Sequence, residues 1–207
     1  MKKYAIVPVI AAALFILGSC SKDPVSKLSS EETRLYITNH DSTTDFSSFK
    51  TFSISDSVDV INNDHLRGKT RSSFDSLLIV SFTKAMVQRG YTLAGNDAKP
   101  DLGININKIT NTYTGVVDYG SYYDDYDSYF DPYYWGYGGY GYYGSYIGTY
   151  QVNEGVISID MFNLKDATAN GKIKSIWNGV IRGSGIFNSA NIDTSVQALF
   201  NQSAYLK

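Results

Sequence analysis

Apolar positions first fall into a two-residue alternation at Leu35 and Ile37, and again at Phe52 and Ile54 within FKTFSIS, the period of a strand with one buried face. The polar, turn-rich NHDSTTD separates them. From Ser73 to Arg89 the period changes: Phe74, Leu77, Leu78, Phe82, Ala85 and Met86 recur three and four apart, which predicts a helix with one buried face. Ser72 and Asp75 stand as a capping box with Asp in place of Glu, and Gly90 suits the position just past the helix end. Alternation returns at Leu102, Ile104 and Ile106, and at Ile157, Ile159 and Met161, predicting two more half-buried strands. The turn-like DATANG and the run IKSIWNGVI then complete a predicted β-hairpin over 156–181, with Gly179 as its expected bulge. Last, Ile192, Val196, Leu199 and Phe200 recur at helical spacing behind Asn191, the expected N-cap.

Strand, helix, strand, hairpin, helix is the order of an α+β domain: an antiparallel or mixed β-sheet with two helices packed on one face. No repeat of twenty to fifty residues is present, which excludes a solenoid or propeller.

Between the predicted strands lies a Tyr/Gly-rich insert over 118–150, which holds 13 of the 18 tyrosines. From Asp118 to Tyr146 it has no Val, Ile, Leu or Met, and its glycines, each costing about 1 kcal/mol in a helix interior, point to a long loop or irregular hairpin extension. Tyr133, Tyr134, Trp135, Tyr137, Tyr140, Tyr142 and Tyr143 are the candidate ligand-binding residues: their rings offer stacking platforms with polar handles for sugars, peptides or a protein surface. The competing reading is a low-complexity insert with little fixed structure, or an aromatic cover over one sheet face. No Lys or Arg lies between Lys108 and Lys165 to offset the aspartates here, but their spacing lacks the pattern of a calcium loop.

The start of the chain fixes an address. Lys2 and Lys3 precede an apolar run from Tyr4 to Leu17, followed at once by Gly18, Ser19 and Cys20, the layout of a cleavable export signal over 1–19. The run falls short of the roughly 20 residues of a membrane-spanning helix, and Pro8 interrupts it. Leu17-Gly18-Ser19-Cys20 resembles the lipobox of bacterial lipoproteins, in which the cysteine thiol takes a diacylglycerol before cleavage. Cys20, the chain's single cysteine, is therefore expected to carry lipid and to supply the membrane attachment, since each buried methylene contributes about 0.8 kcal/mol. Residues 20–30 read as lipidated cysteine and polar tether, and 31–207 as a single domain. Cleavage removes Lys2 and Lys3 and no acid, taking the formal charge from -2 to -4, a balance that argues against a nucleic-acid partner.

Catalytic signatures are missing. His40 and His65 sit in polar, turn-like stretches, where solvated loop histidines are expected, and neither belongs to a metal-ligand spacing. Gly183-Ser184-Gly185 is not the nucleophile elbow of a serine hydrolase, and no glycine-rich stretch leads into a phosphate-binding loop. The expectation is a non-enzyme with no cofactor and no metal; a hydrolase built on an unrecognised carboxylate pair is the lesser alternative.

Several segments together resemble the envelope lipoproteins, many from Bacteroidetes, that carry domain of unknown function 4136. Asp45-Phe46-Ser47-Ser48-Phe49-Lys50-Thr51-Phe52 is similar to the family's opening strand motif, and Pro100-Asp101-Leu102 to its next strand. Glu154 to Asp160 (EGVISID) and Ile176-Trp177-Asn178-Gly179 resemble its hairpin, with Trp177 as a packing residue and Asp160 on the outer face. The resemblance spans about residues 35–202 and implies an outer-membrane lipoprotein of the cell envelope, facing either the periplasm or the surface; the lipobox, the tether and the tyrosine insert, and not the resemblance, point to an envelope protein or glycan as partner. It implies no catalytic residues. FNQSAYLK departs from the Phe-Pro ending of many members.

Overall fold

The computed structural model describes residues 29, 31–62, 65–110, 116–118, 132–143, 149–151 and 155–206. Cys20, the signal segment and much of the Tyr/Gly insert lie outside the described residues.

A mixed sheet of nine strands forms the frame. Its antiparallel centre runs β1 (Leu35–His40), β11 (Lys172–Arg182), β10 (Val156–Asn163), β6 (Leu102–Thr110). Beyond β6 the pairing turns parallel: β2 (Thr51–Ile54) lies against its first half and β3 (Val58–Asn62) against its second, so β2 and β3 form one interrupted strand. On the outer edge of that strand, β5 (Thr92–Leu93) pairs only with Thr51 and Phe52, and β4 (His65–Thr70) pairs with β3. A three-residue β8 (Gly141–Tyr143) runs parallel to the start of β11, and β7 (Val116–Asp118) and β9 (Thr149–Gln151) pair separately.

The expected hairpin is present as β10 and β11, joined through a four-residue helix, α2 (Ala167–Asn170). Its bulge falls between Met161 and Phe162 and not at Gly179. Gly179 answers a different need: a Cβ there would sit 2.3 Å from the Trp177 ring and 3.0 Å from Leu199, so the missing side chain is what admits the indole.

Two longer helices, α1 (Ser73–Gln88) and α3 (Ile192–Gln202), pack on one sheet face, as the pattern predicts. Leu78, Phe82 and Met86 of α1 and Val196, Leu199 and Phe200 of α3 meet Ile104, Ile106, Ile159 and Trp177 of the sheet. The Ser72–Asp75 capping box closes reciprocally, and Gly90 takes φ 87° just past the helix end. Asn191 makes no side-chain cap to α3; Asn188 instead accepts from Ala190 N–H (3.0 Å) and starts a 3-10 turn that leads into the helix. Arg89 donates to the carbonyls of Phe200, Ser203 and Leu206, tying the end of α1 to the end of the chain. His40 is half-buried at the end of β1, its ring 3.8 Å from that of Tyr205, so it is an element of packing and not the solvated loop residue its polar neighbours imply.

Candidate functional site

The opposite sheet face positions the tyrosines. Alternation sends Gly103, Asn105 and Asn107 of β6, Ser158, Asp160 and Phe162 of β10, Asn178 of β11 and Asp59 of β3 to this side. Sequence reading places Asp160 on a solvated outer face; in the structure it is fully buried. Its carboxylate accepts from Asn178 Nδ2 (2.6 Å) and Asn107 Nδ2 (2.9 Å), and Asn178 also donates to Ser158 Oγ (3.0 Å). Asn105 Nδ2 reaches Asp59 Oδ2 and Asn107 Oδ1, both at 3.0 Å. A buried polar belt thus crosses four strands, and its mutual hydrogen bonds offset the cost of burying it.

Below the belt, one end of this face is apolar. Phe162, Leu164, Ala167 and Ile173 gather with Trp135 in a second core, which also takes in Ile61, Ile109, Val156 and Val180. Trp135 closes a 3-10 turn (Pro132–Trp135), and only 3% of it is exposed. Its ring lies 5.9 Å from that of Phe162 and rests on Gly103, where a Cβ would come within 3.1 Å of the indole. Of the seven aromatic candidates, Trp135 is therefore an anchor and not a platform. Tyr134, Tyr137 and Tyr140 pack partly buried around it. Tyr137 donates to Leu164 O (3.1 Å), and Tyr134 donates to Ile54 O (3.2 Å). Burial pushes both phenols above their ordinary range. Tyr133 is 76% exposed. Tyr142 and Tyr143 lie on β8 beside Ile173 and Lys174, with side chains outside the described residues.

Five of the seven candidates, Tyr133, Tyr134, Trp135, Tyr137 and Tyr140, line one cleft of about 530 Å³ with Asn96, Asp97, Lys99 and Thr168. The Tyr137 and Tyr140 rings stand 5.7 Å apart at 45°. Asn96 holds the turn by donating to Tyr134 O (2.8 Å), and among the described residues the charged groups of the lining are Asp97 and Lys99. Lys99 has φ 51°, the single positive φ at a non-glycine among the described residues, and it precedes Pro100. A left-handed lysine costs about 1–2 kcal/mol, and such strain collects at functional positions. Aromatic edges, the Lys99 ammonium, the Asp97 carboxylate and the hydroxyls of Thr168 and the tyrosines equip the cleft to hold a ligand through ring contact and polar bonds. Among the described residues no three His, Cys, Asp or Glu side chains gather as metal ligands, and no helix is long and apolar enough to cross a membrane.

Neither the left-handed Lys99 nor the buried belt is legible in the sequence. The belt's one signal is that the polar positions of β6 and β10 are amides, hydroxyls and short acids, with Lys108 of β6 on the helix side, where a solvated face usually carries Lys and Glu.

A family model, domain of unknown function (DUF4136), matches residues 37–203. The fold resembles the crystal structure of a DUF4136 family protein from Bacteroides thetaiotaomicron, with a TM-score of 0.68 and 28% identity over 84% of this chain and 98% of that one. A PDZ domain protein from Parabacteroides distasonis aligns at a TM-score of 0.43 and 16% identity, over 86% of this chain and 38% of that one, too loosely to bear on function. No curated protein matches the chain.

Proposed function

Since this chain belongs to the DUF4136 family, for which no activity is established, we propose its role from its own residues: an outer-membrane lipoprotein of the cell envelope whose domain has a non-catalytic binding role. Cys20 carries the lipid, residues 21–30 give reach, and 31–207 do the binding. The observation that carries the reading is the cleft, in which an exposed Tyr133 and the tilted Tyr137 and Tyr140 rings are held in place by a buried Trp135. Rigid rings on a buried anchor bind at low entropy cost. Among the described residues of the cleft no nucleophile is paired with a base. Crosslinking intact cells and isolating the full chain should return one enriched envelope component, and Tyr133→Ala should lose it. Recovery of the same material from wild type and variant would count against the reading.

The cleft also favours a more specific version, capture of glycan through the tyrosine insert. A pyranose ring has an apolar face for Tyr133 and hydroxyls for Asp97 and Lys99. Deleting residues 119–131 and 144–148 while keeping the Trp135 anchor tests which part of the insert matters. Glycan binding should survive if the cleft alone is responsible, and its loss with the fold intact would move the site to the removed residues.

A further inference from the structure

The outer edge of the interrupted β2–β3 strand is covered at both ends and open between. β5 pairs with residues 51–52, β4 with residues 58–62, and among the described residues no strand lies beside residues 53–57. The inner edge of that stretch is bonded to β6 through Ser55 N–H to Ile104 O (2.9 Å). On the outer edge a side chain stands where a strand would: the Tyr134 hydroxyl donates to Ile54 O (3.2 Å), and the Asp56 backbone N–H faces the same hydroxyl. A carbonyl and an amide two residues apart on one edge are the pair that an added strand bonds. The notch opens into a second cleft of about 660 Å³ between this edge and α1. Ser76, Ile79, Val80, Thr83 and Lys84 form its helix wall at one-turn spacing, opposite Ile54 and Leu93. Val80 is 47% and Leu93 50% exposed, both in a chain whose other aliphatics mostly reach the core. The charges are unequal. Asp56 and Arg71 pair with each other at 3.5 Å, and among the described residues no acid is bonded to Lys84, the other cation of the lining.

We infer that this notch is a docking site for a short extended peptide of a partner protein. The peptide adds as a strand to Ile54 and Asp56 in place of the Tyr134 hydroxyl, sets an aliphatic side chain against Val80 and Leu93, and brings a carboxylate to Lys84. Five residues of open edge at about 3.3 Å each admit roughly 16 Å of strand, so three to five peptide residues bind and the rest of the partner lies outside. The inference rests on the binding-module reading and names its partner; it does not depend on glycan in the neighbouring cleft. Tyr134 and Asn96 line both clefts, so a peptide that displaces the tyrosine hydroxyl also reaches the aromatic site.

The test pans the full chain, in detergent, with a library of random octapeptides displayed on phage, and synthesises the enriched sequences with and without their carboxylates. Expected are sequences alternating aliphatic and polar residues with an acid or a free C-terminus. Their binding should perturb the amides of Ile54, Asp56 and Leu93 and weaken at least about tenfold in Val80→Arg and in Lys84→Glu, each an exposed position that leaves the core untouched. Tyr134→Phe should bind as tightly or more tightly, because it removes the competitor for Ile54 O and keeps the ring. Thermal unfolding of each variant checks its fold. Peptides that bind equally to Val80→Arg, or that lose binding in Tyr134→Phe, would overturn the site while leaving a binding module. No enrichment at all, together with no crosslinked partner in cells, would overturn both.

Discussion

Asp75 joins the start of α1 to the sheet, and removing it should cost more than an ordinary helix cap. It is fully buried, and its Oδ2 accepts from Ser72 N–H (2.7 Å) and the Thr70 hydroxyl (2.9 Å) while Oδ1 lies 2.7 Å from Lys108 Nζ. Lys108 sits on β6, on the helix side, with 18% of its side chain exposed. Asp75→Ala therefore removes the returning half of the capping box, Ser72 Oγ still accepting from the backbone N–H at 75, and leaves a largely desolvated ammonium unpaired; breaking a buried pair costs about 3–5 kcal/mol. Because Lys108 keeps some access to water, the low end applies, about 3 kcal/mol in all. With a urea m-value of about 2 kcal/mol/M, the unfolding midpoint should fall by about 1.5 M. Asp75→Asn keeps the cap acceptor and loses the charge, so it should fall between. In a double-mutant cycle with Lys108→Met, the pair should couple by about 1–2 kcal/mol. A loss under about 1 kcal/mol in Asp75→Ala, or a cycle that closes additively, would refute the claim that this contact fastens helix to sheet.

The same carboxyl makes the fold acid-sensitive. Burial pushes Asp75 up, but Lys108, Ser72 and Thr70 together hold it below its ordinary 3.8; Asp41, against Lys174, Thr43 and Thr44, is lowered likewise. A group depressed in the folded state stabilises above its unfolded pKa and loses that contribution as pH falls, so urea midpoints should decline from about pH 5 downward. Asp41→Asn and Asp75→Asn should each flatten that decline, and an unchanged slope would exclude them as its source. Gly103→Ala should destabilise by about 1–3 kcal/mol, since its Cβ would come within 3.0 Å of Leu164 and 3.1 Å of Trp135. A melting temperature equal to wild type would mean that Trp135 does not sit on β6. Ser203→Ala should cost about 1–3 kcal/mol by leaving the buried Trp177 Nε1–H, now 2.9 Å from Ser203 Oγ, without its acceptor. In a double-mutant cycle with Trp177→Phe, which itself leaves a cavity, the combined loss should fall short of additivity, and strict additivity would argue for packing alone.

The elements legible in the sequence are those whose local pattern and tertiary role agree. α1 shows its period, its cap and its terminal glycine within one stretch, and the β10–β11 hairpin carries its partner and turn beside it. The β3–β4 hairpin was illegible because its alternation shifts between Val60 and Ile61, and four consecutive residues of β4, from Arg67 to Thr70, are exposed. That β2 and β3 share β6 as partner depends on residues fifty apart, which no local period encodes. At the site, composition singles out the tyrosines but not their division of labour. Trp135 and Tyr133 are two residues apart and differ from 3% to 76% exposure because one faces Gly103 and the other faces outward. The polar belt went unread for a related reason: an Asn or Asp at an alternating position looks the same whether its face meets water or other chain.

The claim that the tyrosine cleft is the working surface of this domain is tested most directly by photo-crosslinking in intact cells. A benzoylphenylalanine replaces Tyr133 in one strain and the exposed Thr194 of α3, on the opposite side of the sheet, in another. The account predicts a discrete adduct from position 133 that is absent from position 194 and disappears when Lys99→Glu is added. Equal labelling from both positions, or none from position 133, would contradict it.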